Sequence, residues 1–311
     1  MEIEFYFDKK IYAYGLDLDN STVLHEWLYE SGIDKADKLI FERKFSKSGK
    51  TTIKMGDKFI KSKKDQLLIE LMEDNLLKNN ELLIGKTDNL KIQEIINAKN
   101  WFQESLRIIL PHSKFGGLVP WISESKKYKI FVNELLNSFD TGIDELDTEV
   151  IELDKYLGEG EEEFKKDIIS AVNESGRILI PEDSGSILIM KKDEKYIVHK
   201  VISYHKDING DKVQFDLDEE SDGTQRLLDF IPAFEIILNE DVTFVIDEID
   251  HSIHPALLKT LVQKLMSDDN TKGQLIFTTH ESNLLDMDLF RQDEIWFTEK
   301  IELHTEPIFI L

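Results

Sequence analysis

An apolar run that ends in two adjacent carboxylates, Val242-Thr-Phe-Val-Ile-Asp247-Glu248, is the most chemically suggestive feature of this 311-residue chain. Such a run reads as a buried strand, and ligands of open α/β sheets bind outside the carboxyl ends of their strands. Two acids placed there can divide the labour: Asp247 can hold a Mg²⁺ ion, often through water, while Glu248 polarises an attacking water. The same pair also suits a strand running into an acidic helix start, which the helix dipole favours. A second segment, Glu220-Ser221-Asp222-Gly223-Thr224-Gln225-Arg226, opens a helical pattern. Ser221 fits the N-cap, Gly223 lets a ligand approach the backbone, and the free amides of the first turn attract an anion such as phosphate. A simple capped helix would use the same residues. A third segment, Gln274-Leu-Ile-Phe-Thr278-Thr279-His280, is again an apolar strand delivering polar groups to an edge. His280 can hydrogen-bond a terminal phosphate or an attacking water, or serve as a structural histidine. Three successive strand–helix signals bring these groups to one sheet edge.

One other chemistry competes for the same residues. Asp247, Glu248, Asp250, His251 and His254 offer carboxylate and imidazole ligands within eight residues, and Asp250 and His254 stand one helical turn apart. Pro255 argues against a metal site, because it belongs at the first position of a helix and leaves His251 to His254 in the preceding turn. A phosphate-cradling loop needs Gly-x-x-x-x-Gly-Lys-Ser/Thr, which these residues do not contain. Gly49-Lys50-Thr51 has Lys44 where the first glycine should be and lies between two alternating strands. Gly85-Lys86-Thr87 has Asn80 there, with helical sequence on both sides. Neither can form the ring of backbone amides that cradles a phosphate.

The elements that position these groups are legible from periodicity. From Met1 to about Lys61 the apolar period is two, at Ile3, Phe5 and Phe7, Ile11 to Leu18, Leu39 to Phe45 and Thr51 to Ile60, which predicts an antiparallel meander. From Asp65 to Leu110 the steps lengthen to three and four, which predicts helices, and Tyr128 to Phe139 predicts another. Asp144 to Asp167 is densely acidic, including Glu159 to Glu163, and reads as a solvated helix or loop. Strands return at Arg177 to Ile180, Ser186 to Met190, Tyr196 to His205 and Val213 to Leu217. Then come a helix (Thr224 to Leu238), a strand (Val242 to Ile246), a helix (Pro255 to Met266), a strand (Gln274 to Thr278), a short helix and a strand (Glu294 to Phe297). That alternation predicts a largely parallel sheet covered on both faces.

Composition bounds the function. Against 62 Asp and Glu stand 38 Lys and Arg, a net charge of −24, so the surface repels phosphate backbones and anionic membranes. Lys61-Ser-Lys-Lys64 and Lys126-Lys127 are compact basic clusters without the interleaved aromatics of a nucleic-acid track. The absence of cysteine excludes disulfides, thiolate metal clusters and thiol nucleophiles. No export signal opens the sequence and no apolar run is long enough to span a bilayer, so a cytoplasmic location is expected.

The four stretches Ser-Asp-Gly-Thr-Gln-Arg, Phe-Val-Ile-Asp-Glu-Ile-Asp-His-Ser-Ile-His-Pro, Phe-Thr-Thr-His-Glu-Ser-Asn-Leu-Leu-Asp and Arg291-Gln-Asp-Glu-Ile-Trp-Phe together resemble the C-terminal half of prokaryotic AAA-family ATPases of the ABC/SMC-like type. More narrowly, they resemble the abortive-infection and OLD-like ATPases of phage defence, over about residues 215 to 300. Tyr12-Ala-Tyr14-Gly15 and the Trp101-Phe102 helix are similar too. The resemblance implies an α/β ABC-type P-loop NTPase head with a mainly parallel sheet. Its parts would be an antiparallel N-terminal β lobe (1–61), a mainly helical insertion (62–175) and a C-terminal ATPase lobe (176–311). It implies ATP and Mg²⁺ as cofactors, Asp247 near the metal, Glu248 as catalytic carboxylate and His280 as switch histidine. Ser221, Gly223, Thr224 and Arg226 would belong to the signature turn and His254 to the D-loop. It further implies an ATP-sandwiched homodimer and a protein effector. In that family a P-loop precedes the N-terminal meander, so the chain is expected to be either a fragment or an intact pseudo-ATPase. The alternatives are a silent scaffold that dimerises and recruits a partner, and a metal-dependent hydrolase.

Overall fold

The computed structural model describes residues 1–311 except 33–34, 61, 114–116, 140, 159, 183–184, 300–307 and 311, so Lys61 of the first basic cluster and Glu159 of the acidic run lie outside it. It divides into two compact units, Met1–Leu106 and Arg107–Leu311, the division falling inside the span read as helical insertion.

In the first unit the period-two sequence forms a five-stranded antiparallel sheet in chain order: β1 (Glu2–Phe7), β2 (Lys10–Asp19), β3 (Thr22–Gly32), β4 (Lys35–Phe45) and β5 (Thr51–Met55). β3 was not among the expected strands. Its inward position 26 is a glutamate, fully buried, which breaks the apolar alternation; the carboxylate accepts the amides of Leu83 (2.6 Å) and Ile84 (3.0 Å) and the Tyr14 hydroxyl (3.1 Å). Arg43 on β4, also fully buried, donates to the carbonyls of Glu81 and Lys78. These two side chains bind the 78–84 segment to the sheet. Gly15 faces Trp27 across the ladder, where a Cβ would come within 2.1 Å of the indole, so the ring lies flat only over glycine.

Helix α1 (Lys63–Leu71) is started by a capping box between Ser62 and Asp65, and both α1 and α2 (Gln93–Asn100) run into a π-helical turn. Their apolar stripe, Ile69, Met72, Ile95, Ala98 and Trp101, covers the inward face of the sheet at Phe5, Tyr12, Leu28 and Phe41. Trp101 stacks on Phe5 at 4.2 Å between centroids. The expected helix does not continue to Leu110: Leu106–Ile109 is strand β6.

In the second unit α3 (Leu118–Glu124) and α4 (Lys126–Asn137) precede β7 (Ile143–Glu152). Here the acidic run corrects the expectation of a solvated helix or loop. Its first part is a strand, and only α5 (Leu153–Leu157) and α6 (Glu162–Ser175) are helical. β8 (Arg177–Glu182), β9 (Gly185–Lys192), β10 (Lys195–Lys206) and β11 (Lys212–Asp216) follow, as expected. The long β10 is the hub, pairing antiparallel with β9, β7 and β11. α5 and α6 close a small core on this sheet around Leu153, Ile168, Val172, Ile189 and Val198.

The remaining elements are α7 (Asp222–Asn239), β12 (Thr243–Ile246), α8 (Pro255–Met266), β13 (Gln274–Phe277), β14 (Phe297–Glu299) and β15 (Ile308–Ile310). The final strand therefore starts later than Glu294, which ends a 3-10 turn. A three-stranded sheet of order β13-β12-β6 pairs β12 and β13 in parallel, and its Phe244 and Ile246 join α7 and α8 in the main core with Leu227, Phe230, Leu258 and Leu261. The opposite face is covered only in part: Thr243 on it is buried. Ile276, which pairs with Val245 there, is 53% exposed. The fold is thus α/β, with antiparallel sheets and a parallel strand pair. Among the described residues no helix is long and apolar enough to cross a membrane.

Candidate functional site

The parallel register Ile246↔Phe277 makes Asp247 and Thr278 the first residues past two neighbouring strands. Asp247 is fixed on its other side by its amide, which donates to the Ile109 carbonyl of β6 at 2.9 Å. The Thr278 hydroxyl donates to Asp247 Oδ1 (2.6 Å) and accepts the Glu248 amide (2.7 Å), and the Ile249 amide reaches the Thr278 carbonyl (3.0 Å). One hydroxyl therefore sets the positions of both carboxylates. Glu248 takes a left-handed backbone, φ +49°, and Ser252 another at +64°, conformations that cost a non-glycine residue stability and recur at functional sites. The chain between them is a tight turn, held by the His251 amide on the Glu248 carbonyl (2.8 Å) and the Ile253 amide on the Asp250 carbonyl (3.2 Å).

His280 stands beside this turn. Its amide donates to Asp250 Oδ1 (3.3 Å), and its ring Nε2 lies 3.8 Å from Glu248 Oε1, beyond direct hydrogen bonding and within reach of a shared water or phosphate oxygen. The ring is 83% exposed and the Glu248 side chain 44%, so both are open to a ligand. His251 lies edge-on to His112 with centroids 4.9 Å apart.

The α7 turn meets the same loop. Ser221 is the N-cap: its hydroxyl accepts the Thr224 amide (3.2 Å) and lies 2.9 Å from the Thr224 hydroxyl. A Cβ on Gly223 would sit 3.0 Å from the Ser252 carbonyl oxygen, so the glycine accommodates a neighbouring loop of the same chain. Arg226 points inward. It is 7% exposed, donates to the carbonyls of Ser113 (2.6 Å) and Leu110 (3.4 Å), and lies over the Phe230 ring at 4.4 Å. Burial pushes its guanidinium pKa down, with Asp229 opposing. His254 caps α8, its Nδ1 accepting the Ala256 amide at 3.3 Å ahead of Pro255.

The structure thus brings Asp247, Glu248 and His280 together and sets the Ser221–Gly223 turn against their loop, while Arg226 and His254 are engaged elsewhere. Sequence reading missed Thr278 as a positioning group; aligning the two strand ends by register would have found it. Among the described residues the metal-hydrolase alternative finds no ligand set. His254 caps its helix, Asp250 accepts an amide, and no group of three His, Asp or Glu side chains able to hold a metal gathers among the described residues. The two decoy loops are ordinary turns. Gly49, at φ +79°, closes the β4–β5 hairpin, and Gly85 and Lys86 belong to one 3-10 turn, Ile84–Lys86.

No curated protein sequence matches the chain. A solved structure described as "Crystal structure of the SmcHead bound to the C-winged helix domain of ScpA" is similar at a TM-score of 0.34 and 10% identity, covering 97% of this chain and 74% of that one, a loose agreement on which the assignment does not depend. The family model described as "AAA domain, putative AbiEii toxin, Type IV TA system" matches residues 1–286, and the chain belongs to that family.

Proposed function

We propose that this chain carries the hydrolytic edge of an ABC/SMC-like ATPase head. The observation that supports it is the Thr278 hydroxyl holding Asp247 and Glu248 at the end of β12, with His280 Nε2 3.8 Å from Glu248. Hard oxygen donors suit Mg²⁺, and Asp247, with Oδ1 taken by Thr278, keeps Oδ2 for the ion or its water. When bound, MgATP supplies the electrophilic terminal phosphorus and neutralises the charge of the phosphates. Glu248 takes a proton from the attacking water as its oxygen bonds to that phosphorus and the bond to the ADP oxygen breaks. His280 donates a hydrogen bond to the same region. The exposed Ser221–Gly223 turn is suited to the nucleotide of a second copy, giving an ATP-bridged homodimer. The reading also requires a phosphate cradle, whose motif these 311 residues do not spell. The family description, which names a putative AbiEii toxin and a type IV TA system, supports a role in such a system; the antiviral role and the protein effector follow from the resemblance of the motifs.

The test is MgATP binding and turnover by the protein expressed from its native gene. Glu248→Gln is expected to lower kcat by about 10²-fold or more while nucleotide stays bound, and Asp247→Asn to weaken the Mg²⁺-dependent part of binding. Turnover unaffected by Glu248→Gln overturns the catalytic assignment. Absence of any nucleotide binding replaces it with the scaffold reading, in which the fold dimerises and presents its helices to a partner.

A further inference from the structure

The turn that opens α7 is held from behind by a carboxylate that no reading of the site has used. Glu220 precedes the Ser221 cap, and only 8% of its side chain is exposed. Its Oε1 accepts the Ser203 hydroxyl at 2.5 Å and lies 2.6 Å from His205 Nε2. Both donors come from the last residues of β10, the hub of the antiparallel sheet. Ser203 is fully buried, and the His205 ring is held edge-on by Phe215 of β11 at 4.8 Å. The backbone of Glu220 is tied as well: its carbonyl accepts the Gln225 side-chain amide at 2.9 Å, and its amide donates to the Leu217 carbonyl. In front, Gly223 abuts the Ser252 carbonyl of the loop that follows Asp247 and Glu248.

We infer that Glu220, Ser203 and His205 form a latch that positions the Ser221–Gly223 turn for nucleotide, making all three positioning residues for hydrolysis; this rests on the ATPase reading above. A carboxylate that accepts two short hydrogen bonds from one rigid strand has little freedom, and the residue after it inherits that rigidity. The latch also hydrogen-bonds β10, the hub of the sheet of β7 to β11, to the turn at the candidate site. The turn therefore reports the position of that sheet, not only of α7. An ordinary helix start needs none of this, since the Ser221 cap already satisfies the Thr224 amide.

The test compares His205→Phe, which keeps the ring against Phe215 but loses the donor, with His205→Gln, whose amide nitrogen can replace Nε2. In the native-gene protein, His205→Phe is expected to lower kcat by about ten- to a hundredfold with the nucleotide KM little changed. His205→Gln is expected to restore most of the loss. Hydrogen exchange at residues 221–225 should accelerate in the Phe variant and not in the Gln variant, with the rest of α7 unaltered. Equal behaviour of the two variants, in kinetics and in exchange, overturns the latch. A wild-type protein without turnover overturns the ATPase reading instead, and the exchange comparison still decides whether the latch holds the turn.

Discussion

Thr278 concentrates two tasks in one hydroxyl, and its removal separates site geometry from folding. Thr278→Val loses the bond to Asp247 Oδ1 and leaves the Glu248 amide to water, which can reach this exposed position. Stability is expected to change by less than about 1 kcal/mol in urea unfolding, while ATP turnover falls about tenfold or more. Arg226 should behave in the opposite way. Its two carbonyl partners lie on the 110–113 loop and its guanidinium is buried, so Arg226→Met is expected to cost about 2–3 kcal/mol in urea unfolding. A nucleotide-contacting arginine would instead leave stability alone and raise the nucleotide KM. Gly223→Ala places a methyl 3.0 Å from the Ser252 carbonyl, so either the α7 turn or the loop after Glu248 must give way. Reduced turnover with stability lowered by about 1 kcal/mol or less is the expected result, read by the same two assays.

At the scale of elements, strands with unbroken patterns were legible and those interrupted by buried polar groups or bulges were not. α8 begins at Pro255, and β12 ends one residue before Asp247, as periodicity and start signals require. β3 escaped because Glu26 occupies an inward position. β7 escaped because a register shift opposite Tyr204 and His205 turns Ile143 and Leu146 both inward, three apart, which mimics helical spacing. The candidate groups were legible where they closely follow a strand end, as with Asp247 and Glu248 after β12 and His280 after β13. Thr278 and the His205–Glu220 bond depend on pairing between distant segments, which no local pattern encodes. The β2–β3–β4 ladder also fixes a pH response. The Lys38 hydrogen bond, aided by Lys10, holds Glu30 down to about 2. A free glutamate titrates near about 4.3. The stabilisation is therefore complete above that value and is lost as pH falls through about 2. Urea unfolding across about pH 5 to 2 should show a steeper loss in the wild type than in Glu30→Gln.

At the scale of the whole molecule, each compact unit carries its own buried core and its own pair of tryptophans, Trp27 and Trp101 in the first, Trp121 and Trp296 in the second. Phe41 and Phe244 are fully buried, one in each core. Replacing either with alanine is expected to cost about 3–5 kcal/mol. The loss should appear first in the fluorescence of the tryptophans of the same unit, measured in single-tryptophan backgrounds. The open face and free edge of β13 have a consequence for handling the protein. Among the described residues Gln274–Phe277 pairs on one side only, with Ile276 exposed, which is a template for strand addition by another copy. A net charge of −24 keeps copies apart while that repulsion is unscreened. Colloidal behaviour then becomes a contest between a sticky edge and a common charge, so light scattering from concentrated stocks should grow with added salt, and Ile276→Lys should abolish the growth.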